Sequence, residues 1–294
     1  MPQPDVQAPI RAMLFMLLSA AFLAASIFCG KLAGAGVFGP PVHPLQVSHA
    51  RFVFAILALG VVAMAMRPSI SAPNLPLHLL RSICGYLGGV CLFASVVWIP
   101  LADATAISFL NPIFAMMLAI PLLGERVGPW RWVAAFIGFV GAMVLIRPFT
   151  DGFQPLAFVA LCGAMLFGVE ITLIKKITRA ERPFQILIIN NSIGAIVASI
   201  VVLWVWVWPV PGQWAVLVGV GLFMVTGQFF FIQAMQRADA SLVAPISNAV
   251  LIFAVIYDFL VLGVAPAWVS WLGAGFIVSG AVLIAWREGR AKHA

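Results

Sequence analysis

Residues 12–31 read AMLFMLLSAAFLAASIFCGK, and residues 155–175 read PLAFVALCGAMLFGVEITLIK. Each is a run of about twenty apolar residues, enough for a helix to cross ~30 Å of hydrocarbon. Each closes on a lysine. At an offset of 144, Leu17 falls on Leu161, Ala20 on Ala164, Ile27 on Ile171 and Lys31 on Lys175. The same membrane-length helix is used twice in the chain.

Working outward from these two runs, eight more occupy 47–66, 76–98, 101–121, 130–147, 184–206, 214–235, 240–262 and 267–286. Of the 294 residues, 64% are hydrophobic and 9% charged, and the mean hydropathy is +1.12. A water-soluble fold must coat itself with polar groups, and this composition cannot supply them. The expected fold class is therefore all-α: a polytopic membrane protein with ten transmembrane helices. What lies between the spans suffices only for tails and short loops. The first run is long for a signal peptide and has no small-residue cleavage site before Lys31, so it counts as the first helix.

Two further matches support a repeat. Ala102-Asp103-Ala104 and Ala238-Asp239-Ala240 open the fourth and ninth helices, at an offset of 136. Gly141-Ala142 and Gly280-Ala281 lie in the fifth and tenth. The chain divides into residues 1–150 and 151–294, each carrying five spans. An odd number forces the second half to enter the membrane from the opposite side. The halves are then inverted five-helix repeats, an architecture common among secondary transporters.

The net charge of +7 is a matter of sidedness. With the N-terminus cytoplasmic, thirteen Lys and Arg residues fall on the cytoplasmic side. Three, Lys31, Arg51 and Arg147, fall on the other. This positive-inside bias places both termini in the cytoplasm and suits a bacterial inner membrane. It makes the lipid bilayer the partner of the basic residues, and excludes nucleic acid. The ten tryptophans cluster near span ends, as interfacial aromatics do. Cys29, Cys84, Cys91 and Cys162 lie within spans without metal spacing. His43, His49, His78 and His293 are scattered at membrane edges and tails without metal spacing, where solvated or interfacial histidines are expected. No metal and no cofactor is implied.

Polar residues inside a span are expensive and need a reason. Asp103 and Asp239 precede helices and read as N-terminal caps. Pro112 and Pro245 each remove a backbone hydrogen bond, so they mark kinks in the fourth and ninth helices. Asn111 and Asn248 sit beside them, as glue between helices or as part of a midplane site. Gly85, Gly88 and Gly89 surround Tyr86 in the third helix, for close packing or as a hinge beside a substrate. Glu170, in the sixth, either pairs with a lysine or arginine or is protonated and titrates. Asp258 is a similar candidate for proton coupling or charge pairing, and Gln228 adds a hydrogen-bonding group. The expected substrate-binding set is Tyr86, Asn111, Glu170, Gln228 and Asn248. Small-residue faces on the fifth and tenth helices suit peripheral braces or a homodimer contact.

Nearly the whole chain resembles the EamA-type ten-helix exporters of the drug/metabolite transporter superfamily. The resemblance rests on Lys31 closing the first helix and on Ser48-His49-Ala50-Arg51-Phe52 entering the second. It rests also on Leu101 to Ala106, on Asn111-Pro112-Ile113-Phe114, and on Leu123-Gly124-Glu125-Arg126. Leu262-Gly263-Val264 in the second half departs from that last motif by lacking the glutamate. The resemblance implies a carrier, not an enzyme. The carrier it implies would export small organic solutes by alternating access between the halves. Amino acids, including aromatic ones as in the YddG-like branch, head the substrate class, followed by related metabolites and toxic organic cations. The rival classes are an intramembrane enzyme, for which no catalytic motif is present, and a passive channel.

Overall fold

A computed structural model of the chain describes residues 7–66, 73–111, 113–115, 117–118, 129–146, 154–177, 181–235, 246 and 249–291. Within them lie ten α-helices. In chain order they are α1 (Gln7–Gly34), α2 (Pro44–Met66), α3 (Leu75–Trp98), α4 (Leu101–Ser108), α5 (Pro129–Ile146), α6 (Ala157–Ile177), α7 (Pro183–Val202), α8 (Pro211–Met235), α9 (Ala249–Leu262) and α10 (Trp268–Ala291). No strand occurs among the described residues. By length and composition, α1, α2, α3, α6, α7 and α8 can each cross a bilayer; α4, α5, α9 and α10 hold shorter apolar stretches. The protein is a multi-pass, all-α membrane protein built from two inverted repeats.

Proline starts α2, α5, α7 and α8, at the position where its missing N–H costs nothing. Asn74 caps α3 by accepting from the Leu77 N–H at 3.4 Å. Two boundaries differ from the expected ones. The fourth helix is not continuous over 101–121. It breaks into a turn at Phe109–Leu110, where the Leu110 and Ile113 N–H groups bond three residues back. The seventh helix ends at Val202 and not at 206. Trp206–Val210 form an irregular strap because Pro209 and Pro211 disfavour helix before them, and the strap's backbone has a partner elsewhere.

The packing follows the exchange of halves. α1 lies chiefly on α8, and its counterpart α6 lies chiefly on α3. α2 on α8 is matched by α7 on α3, and α1 on α9 by α6 on α4. The pairs α2–α7, α4–α9 and α5–α10 map onto themselves. Glycines allow these close crossings. Gly88 of α3 and Gly163 of α6 meet face to face, so a β-carbon on either would stand 3.1–3.3 Å from the other's carbonyl oxygen. Gly141 of α5 and Gly273 of α10 do the same at 2.7–3.0 Å.

The bundle has two ends. The terminal end carries the start of α1 and the α2–α3 and α6–α7 connections. The far end carries the α1–α2 and α7–α8 connections. In the α1–α2 turn, Gly36 and Gly39 take φ of 73° and 151°, which other residues resist.

Candidate functional site

On α3, Arg81, Gly85 and Gly89 stand at i, i+4 and i+8 and so share a face. The two glycines leave that face without side chains, and charged groups from other helices occupy it. The Glu170 carboxylate of α6 lies against Gly85, where an added β-carbon would be 2.8 Å from Oε2. Its Oε1 is 3.5 Å from Nη2 of Arg81. The Arg51 guanidinium of α2 lies against Gly89, where an added β-carbon would be 2.5 Å from Nη1. It also sits 4.8 Å from the Phe52 ring centroid. Glu170 interacts electrostatically with both arginines, which repel each other. Along α3 the order is therefore plus, minus, plus.

Tyr86 is buried beside this ladder, with its ring 6.1 Å from that of Phe52 and against Ala198 of α7. Among the described residues its hydroxyl has no partner. One turn nearer the terminal end, Ser82 Oγ hydrogen-bonds Asn190 Oδ1 of α7 at 3.1 Å.

A second charged group lies toward the far end. Lys31 Nζ of α1 donates to both carboxylate oxygens of Asp258 of α9, at 2.9 and 2.8 Å. Asp258 Oδ2 also accepts from the Leu101 N–H at 3.1 Å, at the start of α4. The residue in the cap position of α4 is Pro100, which has no side-chain acceptor. Asp103 falls inside the first turn instead of before it. The capping carboxylate comes from α9, across the repeat interface.

Hydrogen bonds tie the halves together at both ends. At the far end, Gln46 of α2 binds the strap after α7: its Nε2 donates to the Val207 carbonyl at 2.7 Å, and its Oε1 accepts from the Val207 N–H at 3.3 Å. Gln213 of α8 donates to the Pro40 carbonyl in the α1–α2 turn. At the terminal end, Glu181 accepts from the Asn74 N–H at 3.0 Å, from His78 Nε2 at 2.8 Å and from Gln185 Nε2 at 2.7 Å. Of the two environments expected for the histidines, solvated or interfacial, His78 is not in the first: it is fully buried near the end of the bundle, because this carboxylate gives its ring a partner. The two seals are related by the repeat: Pro44-Leu45-Gln46 and Pro183-Phe184-Gln185 open α2 and α7 at an offset of 139.

Burial pushes the Glu181 carboxyl up, but the hydrogen bonds from Asn74, His78 and Gln185, with the nearby imidazole, outweigh it and hold the group below its ordinary value. A depressed carboxyl contributes stability at neutral pH that is lost as pH falls through its folded-state value. Glu181→Gln is therefore expected to lower the unfolding temperature at pH 7 and to become indistinguishable from the unaltered protein below the usual carboxylate range. A gap in unfolding temperature that stays constant with pH would show that the carboxylate does not hold this seal.

Of the expected site residues, Tyr86 and Glu170 come together around α3. Asn111 lies half-buried just past the turn that ends α4, and Gln228 lies half-buried on α8 with its Oε1 unpartnered. No hydrogen bond among the described residues joins either to the Glu170 cluster. Pro112, Pro245 and Asn248 lie outside the described residues. Gly85, Gly88 and Gly89 stand in an unbroken helix, each pressed by a neighbour. Arg51, Arg81, His78, Glu181 and Gln46 were not among the expected site residues. Arg51 and Arg81 begin seven and six residues inside their helices, about 10 Å along the axis. That depth is the signal that separates them from flanking charges.

An apolar groove of about 460 Å³ opens between α1, α9 and α10, with Leu17, Ile252, Val255, Trp271 and Val278 in its lining. It presents no charged side chain to a solute.

The model of the EamA-like transporter family matches this chain twice, over residues 10–147 and 154–286. A riboflavin transporter of Rhizobium johnstonii is 33% identical over 224 residues, covering 74% of this chain and 72% of that protein. An S-adenosylmethionine uptake transporter of Rickettsia prowazekii is 26% identical over 87% of this chain and 88% of its own length. A pseudopaline exporter of Pseudomonas aeruginosa is 26% identical over 66% and 71%. A solved crystal structure shares the fold at a TM-score of 0.64, with 19% identity and coverage of 93% and 95%.

Proposed function

The chain belongs to the EamA-like transporter family, and from that premise we propose that it is a secondary carrier moving small organic solutes by alternating access between its inverted halves. The observation that carries this reading is the pair of repeat-related seals, Gln46 with Val207 and Glu181 with Asn74, His78 and Gln185, on either side of a charged cluster. Alternating access needs two gates that open in turn, and inverted repeats supply two gates of related construction.

The substrate set of Tyr86, Asn111, Glu170, Gln228 and Asn248 belongs to this proposal. Amino acids and related metabolites are the first solutes to try, and export the first direction. Relatives named for riboflavin and for S-adenosylmethionine uptake widen the panel, and the second makes inward movement the other direction to test. The terminal end faces the cytoplasm of a bacterial cell in this reading. Because Lys31, Arg51 and Arg81 are buried in the bundle, they drop out of the sidedness count. Twelve flanking cations then stand against Arg147 alone. A homodimer through α5 and α10 would have to use their outer faces, since Gly141 and Gly273 are occupied by each other.

The test is counterflow in liposomes containing the purified protein, with labelled amino acids, riboflavin and S-adenosylmethionine. A carrier gives saturable uptake accelerated by the same solute on the opposite side. Unsaturable flux with electrical conductance far above ordinary turnover would make it a channel and overturn the proposal.

A further inference from the structure

The charged ladder on α3 does not balance. Two guanidinium groups, Arg51 and Arg81, share one carboxylate, Glu170. Glu170 is the acid that acts on both arginines; of the other described acids, Glu181 is held by three donors at the terminal end, Asp258 by Lys31 and the Leu101 N–H, and Asp103 has an interaction of its own. Arg51 is only 7% exposed and, among the described residues, makes no hydrogen bond and no ion pair within 4.0 Å. Arginine cannot shed its proton to escape, and an uncompensated charge in a low-dielectric interior is costly.

The polar atoms left over around it point one way. The Nε–H groups of Arg51 and Arg81, the Tyr86 hydroxyl and the Ser48 hydroxyl are all buried without partners among the described residues. Arg51 and Tyr86 both pack on the Phe52 ring, and Arg51 and Ser48 both border Gly89. The group has four unused donors, two of them hydroxyls that can also accept, and one net positive charge, which suits a ligand rich in acceptors and negatively charged. Glu170 does not compete for it: it sits over Gly85 as counter-ion to Arg81, and lowers the net charge from two to one.

We infer that Arg51, with Arg81, Tyr86 and Ser48, forms a subsite for the anionic group, carboxylate or phosphate, of the solute. The inference rests on the carrier reading above, and it departs from the expectation that Glu170 holds a substrate's amino group. It is testable apart from transport. The protein in nanodiscs of neutral lipid is titrated with matched pairs, benzoate against benzamide and riboflavin 5′-phosphate against riboflavin, and its unfolding temperature is followed.

At least one acid is expected to stabilise the protein at a concentration about tenfold or more below that of its neutral partner, the scale of one charge-assisted contact. The carboxylate and phosphate arms tell which anion fits. Arg51→Gln is expected to erase the preference and Arg51→Lys to keep part of it; if the glutamine variant fails to fold, the comparison of acid with neutral partner on the unaltered protein still decides. If neither acid stabilises, or the neutral partner does so equally, the subsite is absent. Counterflow of the same pairs separates the two proposals. Exchange that ignores charge removes the anion subsite and keeps the carrier. An acid that binds without exchanging keeps the subsite and removes the carrier.

Discussion

Asp258→Ala is expected to destabilise the folded protein by about 3–5 kcal/mol, the usual cost of removing one partner from a buried ion pair. Lys31 Nζ has both of its contacts, at 2.9 and 2.8 Å, on this one carboxylate. Without them it would be an ammonium in the bundle interior with no counter-charge. The Leu101 N–H would lose its acceptor in the same step, leaving the start of α4 uncapped behind Pro100. Asp258→Asn could still accept from Leu101 but would strand Lys31, so most of the loss should remain. The double replacement Lys31→Met with Asp258→Leu should recover the part that comes from the stranded ammonium, while the Leu101 N–H stays without its acceptor. Unfolding in nanodiscs of the unaltered protein, Lys31→Met, Asp258→Leu and the double replacement closes a cycle that gives the coupling directly. A cost below about 1 kcal/mol for Asp258→Ala would mean the pair behaves like an exposed one, and that α1, α4 and α9 are held by packing alone.

That pair marks the limit of what could be read from the chain. Lys31 was legible because it recurs as Lys175, and Asp258 because a carboxylate in an apolar run stands out. Their partnership was not, since 227 residues separate them. In a soluble protein, a helix's apolar stripe would show which side faces its neighbours. These helices are apolar on all sides, because lipid and protein interior make the same demand. Hydropathy therefore gives the spans and the inverted halves, but not which face of α3 meets α6. For the same reason Glu170 looked like a candidate partner for any nearby cation, and its pairing with Arg81 across the bundle had to come from the fold. Arg51 was counted as a flanking charge because helix ends are the least certain part of a hydropathy reading; α2 in fact starts at Pro44 and carries Arg51 inward. The Trp-rich segment after Val202 was read as helix because its side chains are apolar, although its two prolines already pointed to a strap.

The strap is also the handle for the second large effect. Gln46 and Val207 close the far end, and Asn74 and Glu181 close the terminal end. Alternating access requires each seal to break once per cycle. Two variants, Gln46→Cys with Val207→Cys and Asn74→Cys with Glu181→Cys, are built in a background where Cys29, Cys84, Cys91 and Cys162 are replaced. A cleavable bis-maleimide then bridges each pair. Either bridge alone is expected to reduce exchange to the rate of protein-free liposomes, and cleaving it to restore exchange. A mono-maleimide on the single cysteines should do neither. The two locked forms should differ in one respect, which a channel cannot reproduce. With the far end tied, solute reaches the site only from the terminal end, and with the terminal end tied, only from the far end. Exchange that continues at the untied rate through either bridge would show that these contacts are not gates. Loss of exchange with only one of the bridges would leave a single moving end, and the inverted repeat would then be an ancestry of the fold without being its mechanism.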